Sequence, residues 1–241
     1  MRDIADYTEK YTESSFEEYQ VRYRRRFVCE QIEKYNPKTI LEIGCGMLPL
    51  FLEFPDKNFT VIEPSENFYE NAKKLSCNRK NIELINDFFD EKTILPQRFD
   101  MIICSGLLHE VEDPEQMAVA LSRIASAESI VHINVPNARS FHRLLAKESS
   151  LIDDVHELSS RNRLFQQHSV FDIESLKRLF VSKDFEIVEE GSYFIKPFTH
   201  EQMMRMLKEN IIDLNVLEGL YKMADFLPEF GSEIFVNCKK R

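Results

Sequence analysis

Apolar side chains recur at three- and four-residue steps near the start of the chain and predict a helix there. Tyr19, Tyr23 and Phe27 follow this spacing, which places them on one helix face. Pro37 would end the helix, because the residue before a proline avoids the α region. We therefore expect residues 1–36 to form an N-terminal helical cap.

Short apolar segments alternate with helical patterns over the next hundred residues. They predict five buried strands, at residues 39–43, 59–62, 82–85, 100–104 and 129–135. Ser65 can cap one intervening helix, and Asp113 followed by Pro114 can begin another. This alternation is typical of a parallel sheet with helices on both faces.

The pattern changes after the fifth predicted strand. Residues 137–170 are polar and basic and contain no clear strand. A helix over 172–180, a strand over 185–195, a helical stretch that begins with a capping box at Thr199, and a last strand over 233–238 follow. We expect the last two strands to pair antiparallel, because the connection between them is too irregular for a simple crossover.

Composition and charge narrow the class of protein. The 241 residues fit one domain, or one domain with a sizeable insertion, and the net charge of −10 argues against nucleic-acid binding. No apolar stretch approaches the ~20 residues that a membrane span needs. The five scattered cysteines fit reduced thiols rather than a metal site. We expect a cytoplasmic monomer or homodimer with no nucleic-acid, membrane or metal partner.

The first predicted strand runs into a turn with two glycines, Glu42-Ile43-Gly44-Cys45-Gly46. Glycines at the carboxyl end of a strand let the chain turn tightly and let a ligand approach the backbone N–H groups. The third glycine of a dinucleotide fingerprint is replaced by Pro49, which disfavours a pyrophosphate. The turn favours a nucleoside ligand without phosphates.

Acidic residues stand after the second and third predicted strands. Glu63 follows Gly44 by 19 residues, where an acid accepts hydrogen bonds from both ribose hydroxyls. Asp87 and Phe88 follow the third strand. A carboxylate at this place could accept from an adenine amino group, and the ring could stack on the base.

Together with the segment Leu108-His109-Glu110-Val111-Glu112-Asp113-Pro114, these turns resemble class I S-adenosylmethionine-dependent methyltransferases. The resemblance is to small-molecule enzymes of the ubiquinone-biosynthesis and surface-glycan groups, and it is clearest over residues 38–135. It implies an α/β fold with a doubly wound, seven-stranded, mostly parallel Rossmann-like sheet and helical cap insertions. Residues 37–241 would form the S-adenosylmethionine-binding domain, with residues 137–170 and 196–232 covering the acceptor.

The resemblance also implies roles for individual residues. S-adenosyl-L-methionine would be the co-substrate, held by Glu42, Gly44, Cys45, Gly46, Glu63, Pro64, Asp87, Phe88 and Ser105. His109 would be the catalytic base, with oxygen favoured over nitrogen as the methylated atom.

Candidate acceptor residues come from the cap and from the basic segment. They are Tyr19, Arg139, Arg143 and His168, with Arg161 and Arg163 in the same basic segment and Tyr7, Tyr11 and Tyr23 as further aromatic faces for a sulfonium. The local charge favours a small anionic, nucleotide-linked or glycan-precursor acceptor, and an exposed connector is the alternative interpretation.

Three questions stay open at this stage. One arginine of the run Arg22–Arg26 could hold the donor's carboxylate or an anionic acceptor, or the run could be a solvated surface. The protein could instead be an NAD-dependent oxidoreductase with the same sheet. It could also be a non-catalytic module that binds an adenosyl ligand.

Overall fold

The computed structural model describes residues 16–95, 97–158 and 167–241. The first 15 residues of the predicted cap, with Tyr7 and Tyr11, lie outside the described residues, as do Arg161 and Arg163.

The described residues form strands and helices in the order that the sequence pattern predicts, with one additional helix at Phe141–Glu148. The strands are β1 Thr39–Ile43, β2 Asn58–Ile62, β3 Ile82–Ile85, β4 Met101–Ser105, β5 Ile130–Pro136, β6 Phe185–Tyr193 and β7 Glu233–Lys240. The α-helices are α1 Glu17–Tyr35, α2 Glu66–Leu75, α3 Pro114–Ile124, α4 Phe141–Glu148, α5 Ile173–Val181, α6 His200–Lys208 and α7 Leu214–Lys222. Short 3-10 turns cover Leu50–Leu52 and Met223–Asp225.

All seven strands belong to one sheet, in the order β3-β2-β1-β4-β5-β7-β6. Strands β1 to β5 pair in parallel, whereas β7 runs antiparallel between β5 and β6. The predicted seven-stranded, mostly parallel sheet with an antiparallel last strand is therefore confirmed. The strand order reverses between β1 and β4, and open α/β sheets bind ligands at the carboxyl ends of the strands at such a point.

Hydrogen bonds from the first helical turn fix where several helices begin. Asp113 accepts from the Gln116 N–H, and Asp172 and Thr199 each form a capping box. The helix α4 was not predicted, although Phe141, Leu144 and Leu145 have helical spacing. Its start is held by tertiary structure, since the Phe141 N–H donates to the Phe230 carbonyl over 2.9 Å.

Apolar side chains cover both faces of the sheet. On one face the strands pack against α3 and α5, through residues such as Leu121 and Phe180. On the other face α1 and the 3-10 turn after β1 supply Ile32 and Phe51. A third cluster joins α1 to α6 and α7, and there the Tyr23 ring stacks on Phe194 with centroids 4.5 Å apart.

The two predicted covering segments both leave the sheet at its carboxyl edge. Pro136, the last residue of β5, pairs with Glu233, the first residue of β7. Glu233 also pairs with Tyr193, the last residue of β6. The connections that follow β5 and β6 therefore begin where a ligand of this fold class would bind. Covering of an acceptor by these connections remains a prediction.

Gly231 lies before β7 with backbone packed against it. A Cβ there would stand 2.5 Å from the Tyr193 nitrogen and 2.6 Å from the Tyr193 oxygen. We expect Gly231→Ala to lower the free energy of unfolding by about 1–3 kcal/mol, because packed backbone must move. Gly219→Ala in α7 is the matched control, where no atom lies within 4 Å, and it should raise stability by about 0.5–1 kcal/mol. Urea unfolding of both variants tests this, and effects of the same sign would contradict it.

Candidate active site

A cavity of about 550 Å³ lies at the carboxyl ends of β1, β2 and β4. Its wall contains α1, the turn after β1, the end of β2, residues 88–90 after β3 and residues 105–107 and 110–112 after β4. Eight of the nine residues predicted to hold the donor line this cavity, namely Glu42, Gly44, Cys45, Gly46, Glu63, Pro64, Phe88 and Ser105. The structure therefore brings turns from four strands to one place.

The turn after β1 is shaped by its glycines and by Glu63. Gly44 and Gly46 have φ of +75° and +56°, which a residue with a side chain adopts only with strain. One Glu63 oxygen accepts from the backbone N–H groups of Cys45 and Gly46, at 2.9 and 3.2 Å, and the other accepts from Ser65 at 2.9 Å. A carboxylate oxygen has more than one acceptor site. Glu63 can therefore hold the turn and accept from a ribose at the same time.

Glu42 is a second carboxyl group in the wall, and it is 4% exposed. Both of its oxygens accept from the Leu50 N–H, at 3.2 and 3.1 Å. Burial raises the pKa of Glu42 to about 8, with a smaller rise from the nearby Glu63, although the Leu50 N–H and the charge of Arg25 act in the opposite direction. Glu42 is therefore mostly protonated at neutral pH, and a cation beside it would favour the charged form.

Asp87 is the one predicted donor residue that does not line the cavity. Its carboxylate accepts from the Phe88 N–H at 2.8 Å and so closes a local turn. Phe88, Phe89 and Asp90 line the wall instead. The chain reaches the cavity wall only after Asp87. The acidic residue on the wall after β3 is therefore Asp90.

His109, predicted as the base, is 4% exposed and is not part of the cavity wall. Its carbonyl accepts from the backbone N–H groups of His168 and Ser169, at 2.9 and 3.2 Å. Its Nε2 lies 3.8 Å from Oε1 of Glu110, which does line the wall. Within this pair, Glu110 is the side chain that the structure brings to the cavity.

The four predicted acceptor residues lie away from the cavity wall. Tyr19 packs against Phe16, with ring centroids 5.4 Å apart, in the cluster between α1, α6 and α7. Arg139 and His168 are exposed. Arg143 donates to the Val155 carbonyl at 2.9 and 2.6 Å, and so it stabilises the connector that contains it.

The arginines of the run on α1 point in different directions. Arg24 and Arg25 line the cavity, whereas Arg26 binds Glu30 and Glu218 on the outside. Arg25 donates to the Pro49 carbonyl at 3.0 Å and thereby supports the turn after β1. The sequence feature that indicates this placement is a pair of adjacent arginines beside the apolar face of the helix. The direction in which their side chains point depends on how α1 packs.

Acidic side chains outnumber basic ones on the cavity wall. The carboxyl groups belong to Glu42, Glu63, Asp90, Glu110 and Glu112, and the guanidinium groups to Arg24 and Arg25. A cavity with this surplus attracts positively charged ligands. Among the described residues, no group of three His, Cys, Asp or Glu side chains could hold a metal ion, and no helix is long and apolar enough to cross a membrane.

A doubly wound sheet with an acidic cavity at its switch point is the arrangement of α/β ligand-binding domains. A family model described as a methyltransferase domain matches residues 20–190. The match covers more than half of the chain, and the chain belongs to this methyltransferase family. The comparison with curated proteins gave no match.

Solved structures with the same fold include several methyltransferases. The plantazolicin methyltransferase BpumL, in complex with a triazolic desmethylPZN analog and SAH, has 21% identity and a TM-score of 0.59, over 94% of this chain and 88% of that chain. The N-methyltransferase NodS from Bradyrhizobium japonicum WM9, in complex with S-adenosyl-l-homocysteine, has 10% identity and a TM-score of 0.56, over 96% and 90%. A S-adenosylmethionine-dependent methyltransferase from Clostridium acetobutylicum ATCC 824 has 11% identity and a TM-score of 0.57, over 91% of each chain. At these identities the likeness concerns the fold.

The raised pKa of Glu42 predicts a stability that depends on pH. The folded chain holds this proton up to about pH 8, whereas the ordinary value is 4.5, so folding takes up a proton between these values. The contribution of Glu42 to the stability of the protein should therefore fall as the pH rises from about 4.5 to about 8.

The variant Glu42→Gln should remove this dependence, because its amide oxygen still accepts from Leu50 but carries no proton to lose. The unfolding free energy of Glu42→Gln minus that of the parent should increase by on the order of a few kcal/mol between pH 5 and pH 8. Urea titrations at both pH values measure the difference. Glu53→Gln, which removes an exposed carboxylate on the connection after β1, controls for the loss of charge. Parallel pH profiles of Glu42→Gln and the parent would contradict the prediction.

Proposed function

We propose that the protein transfers a methyl group from S-adenosyl-L-methionine to a small-molecule acceptor. The carboxylate of Glu63 carries this proposal, because it holds the turn of Cys45 and Gly46 and faces a cavity at the switch point of the sheet. Membership of the methyltransferase family supports the same reaction.

The wall residues suit the parts of this co-substrate. Glu63 can accept from the ribose hydroxyls, and Phe88 and Asp90 offer a ring and a carboxylate to the adenine. Glu42, buried at the end of β1, favours a cation nearby. The co-substrate supplies a methyl group that is already activated on a sulfonium, so the protein's main task is to align the acceptor with it.

An acceptor hydroxyl must lose its proton when it receives the methyl group. Oxygen is the atom we favour, and nitrogen is the alternative. Glu110 is the group we assign to take up this proton, because it lines the cavity and is only 8% exposed, with His109 behind it. The acidic wall favours an uncharged or cationic acceptor over the anionic class that the basic segment suggests, since Arg143 is bound to backbone carbonyls.

The geometry after β1 weighs against the oxidoreductase alternative. A dinucleotide pyrophosphate is held by the N-terminus of a helix that follows the first strand. Here β1 is followed by the three-residue 3-10 turn Leu50–Leu52, and the described residues between β1 and β2 contain no α-helix. The remaining alternative, a non-catalytic adenosyl-binding module, differs from the proposal only in turnover.

Calorimetric titrations with S-adenosylhomocysteine and with NAD test the donor. We expect heat with the first ligand alone, and we expect Glu63→Gln to weaken its binding at least about tenfold through lost charge-assisted hydrogen bonds. Glu83→Gln, which changes an exposed carboxylate on β3, is the matched control and should leave the affinity unchanged. Binding of NAD without binding of S-adenosylhomocysteine would overturn the proposal.

Release of S-adenosylhomocysteine in a screen of small hydroxylated compounds and amines tests the transfer step. With an acceptor that gives turnover, Glu110→Gln should lower kcat by about 100-fold, because the base is lost. Its dissociation constant for S-adenosylhomocysteine should stay within about twofold. An unchanged kcat would exclude Glu110 as the base, and donor binding without turnover on any acceptor would favour the non-catalytic module.

A further inference from the structure

Two large apolar side chains, Met47 and Leu48, lie exposed at the mouth of the cavity. They are 49% and 55% exposed, although both line the cavity wall. The apolar residues that follow them, Leu50 and Phe51, are buried in the core. Exposed apolar surface that continues into a cavity is typical of a place where a ligand is bound. The pair therefore indicates a subsite of the cavity.

Hydrogen bonds to the backbone of this turn hold the two side chains at the mouth. The Met47 carbonyl accepts from Nδ2 of Asn71 on α2 at 2.8 Å, and the Leu48 carbonyl accepts from Nη1 of Arg25 on α1. Arg25 also donates to the Pro49 carbonyl at 3.0 Å. The turn is thus held from α1 and from α2, and a rearrangement that buried Met47 and Leu48 would break these hydrogen bonds.

The apolar part of the donor has a different contact on the wall. Adenine is the apolar face of S-adenosylmethionine, whereas its ribose, its sulfonium and its amino-acid end are polar or charged. Phe88, to which the proposed function assigns the adenine, follows β3, and Met47 and Leu48 follow β1. Strand β2 lies between β3 and β1, so two strand spacings, or about 10 Å, separate the two places. Met47 and Leu48 are therefore available to the acceptor.

The turn after β1 also lies beside the turn that carries the assigned base. Strands β1 and β4 are neighbours in the sheet, and a Cβ at Gly44 would stand 3.8 Å from Cδ2 of Leu107. Glu110, three residues further along the chain, lines the same cavity. One acceptor molecule can therefore lie on Met47 and Leu48 and present its hydroxyl group to Glu110.

We propose that Met47 and Leu48 form an acceptor subsite, and that the acceptor is an uncharged molecule with its hydroxyl group on an apolar body. This inference rests on the proposed function and narrows its acceptor class. Contact with the pair removes apolar surface of both partners from water, and the flexible methionine adapts to the shape of the ligand. A charged or sugar-like body would lose hydration there without gaining a hydrogen bond from these two side chains.

Leu52 offers a matched control. It lies in the same connection between β1 and β2 and is 37% exposed, but it is not part of the cavity wall. Leu52→Ser therefore removes a comparable exposed apolar side chain from this connection without changing the wall.

The experiment measures by calorimetry how phenol and 2-naphthol bind to the protein saturated with S-adenosylhomocysteine. Both probes are uncharged and carry one hydroxyl group, but 2-naphthol has a second apolar ring. We expect the parent protein to bind 2-naphthol at least about tenfold more tightly than phenol, because the added ring buries apolar surface. Leu48→Ser and Met47→Ser should each reduce this ratio at least about threefold, and Leu52→Ser should leave it unchanged. All three variants should bind S-adenosylhomocysteine within about twofold of the parent.

Each other outcome has a defined meaning. Equal affinity of the parent for the two probes, no binding of either, or an unchanged ratio in both wall variants would overturn the inference and leave the proposed function standing. Weaker binding of S-adenosylhomocysteine by Leu48→Ser or Met47→Ser would also overturn it, because the pair would then contact the donor. An equal reduction of the ratio by Leu52→Ser would show a general effect of the connection, with the same consequence. If one wall variant does not fold, the other decides. If the parent protein does not bind S-adenosylhomocysteine, the proposed function itself fails.

Discussion

The site depends on how the backbone N–H groups after β1 are satisfied. No helix begins in the described turn at residues 44–49, so those N–H groups need another acceptor at the edge of the sheet. Glu63, at the end of the neighbouring strand, accepts from Cys45 and Gly46. One carboxylate thereby joins the ends of β1 and β2 and sets the shape of the cavity between them.

Three of the buried carboxyl groups at this edge are stabilised in three different ways. Glu42 keeps its proton, Glu63 accepts from backbone N–H groups, and Glu233 is paired with the guanidinium of Arg24. Each way avoids an uncompensated buried charge, which would cost several kcal/mol.

The sequence alone allowed the strands and the turn residues to be predicted, because these depend on local pattern. The bounds of β1 and β3 agree with the predicted ones, and the residues after β1 and β2 meet because parallel strands end at one edge. The direction of a side chain after a strand was not predictable. His109 and Asp87 lie in the expected turns, yet neighbouring residues reach the cavity, because each turn's own hydrogen bonds decide which side chain points inward.

The contact between the residues that are farthest apart in the chain was the one that the sequence indicated least. Arg24 and Glu233 are 209 residues apart, and neither has a local pattern that indicates the other. Gln20 and Arg24, one helical turn apart, both bind Glu233, whereas Arg25 and Arg26 diverge by the ~100° per residue of an α-helix. Arg24 and Arg25 both line the cavity, whereas Arg26 pairs with Glu30 and Glu218 outside it. The rotation of α1 is therefore part of the site, because it decides which arginines reach the cavity.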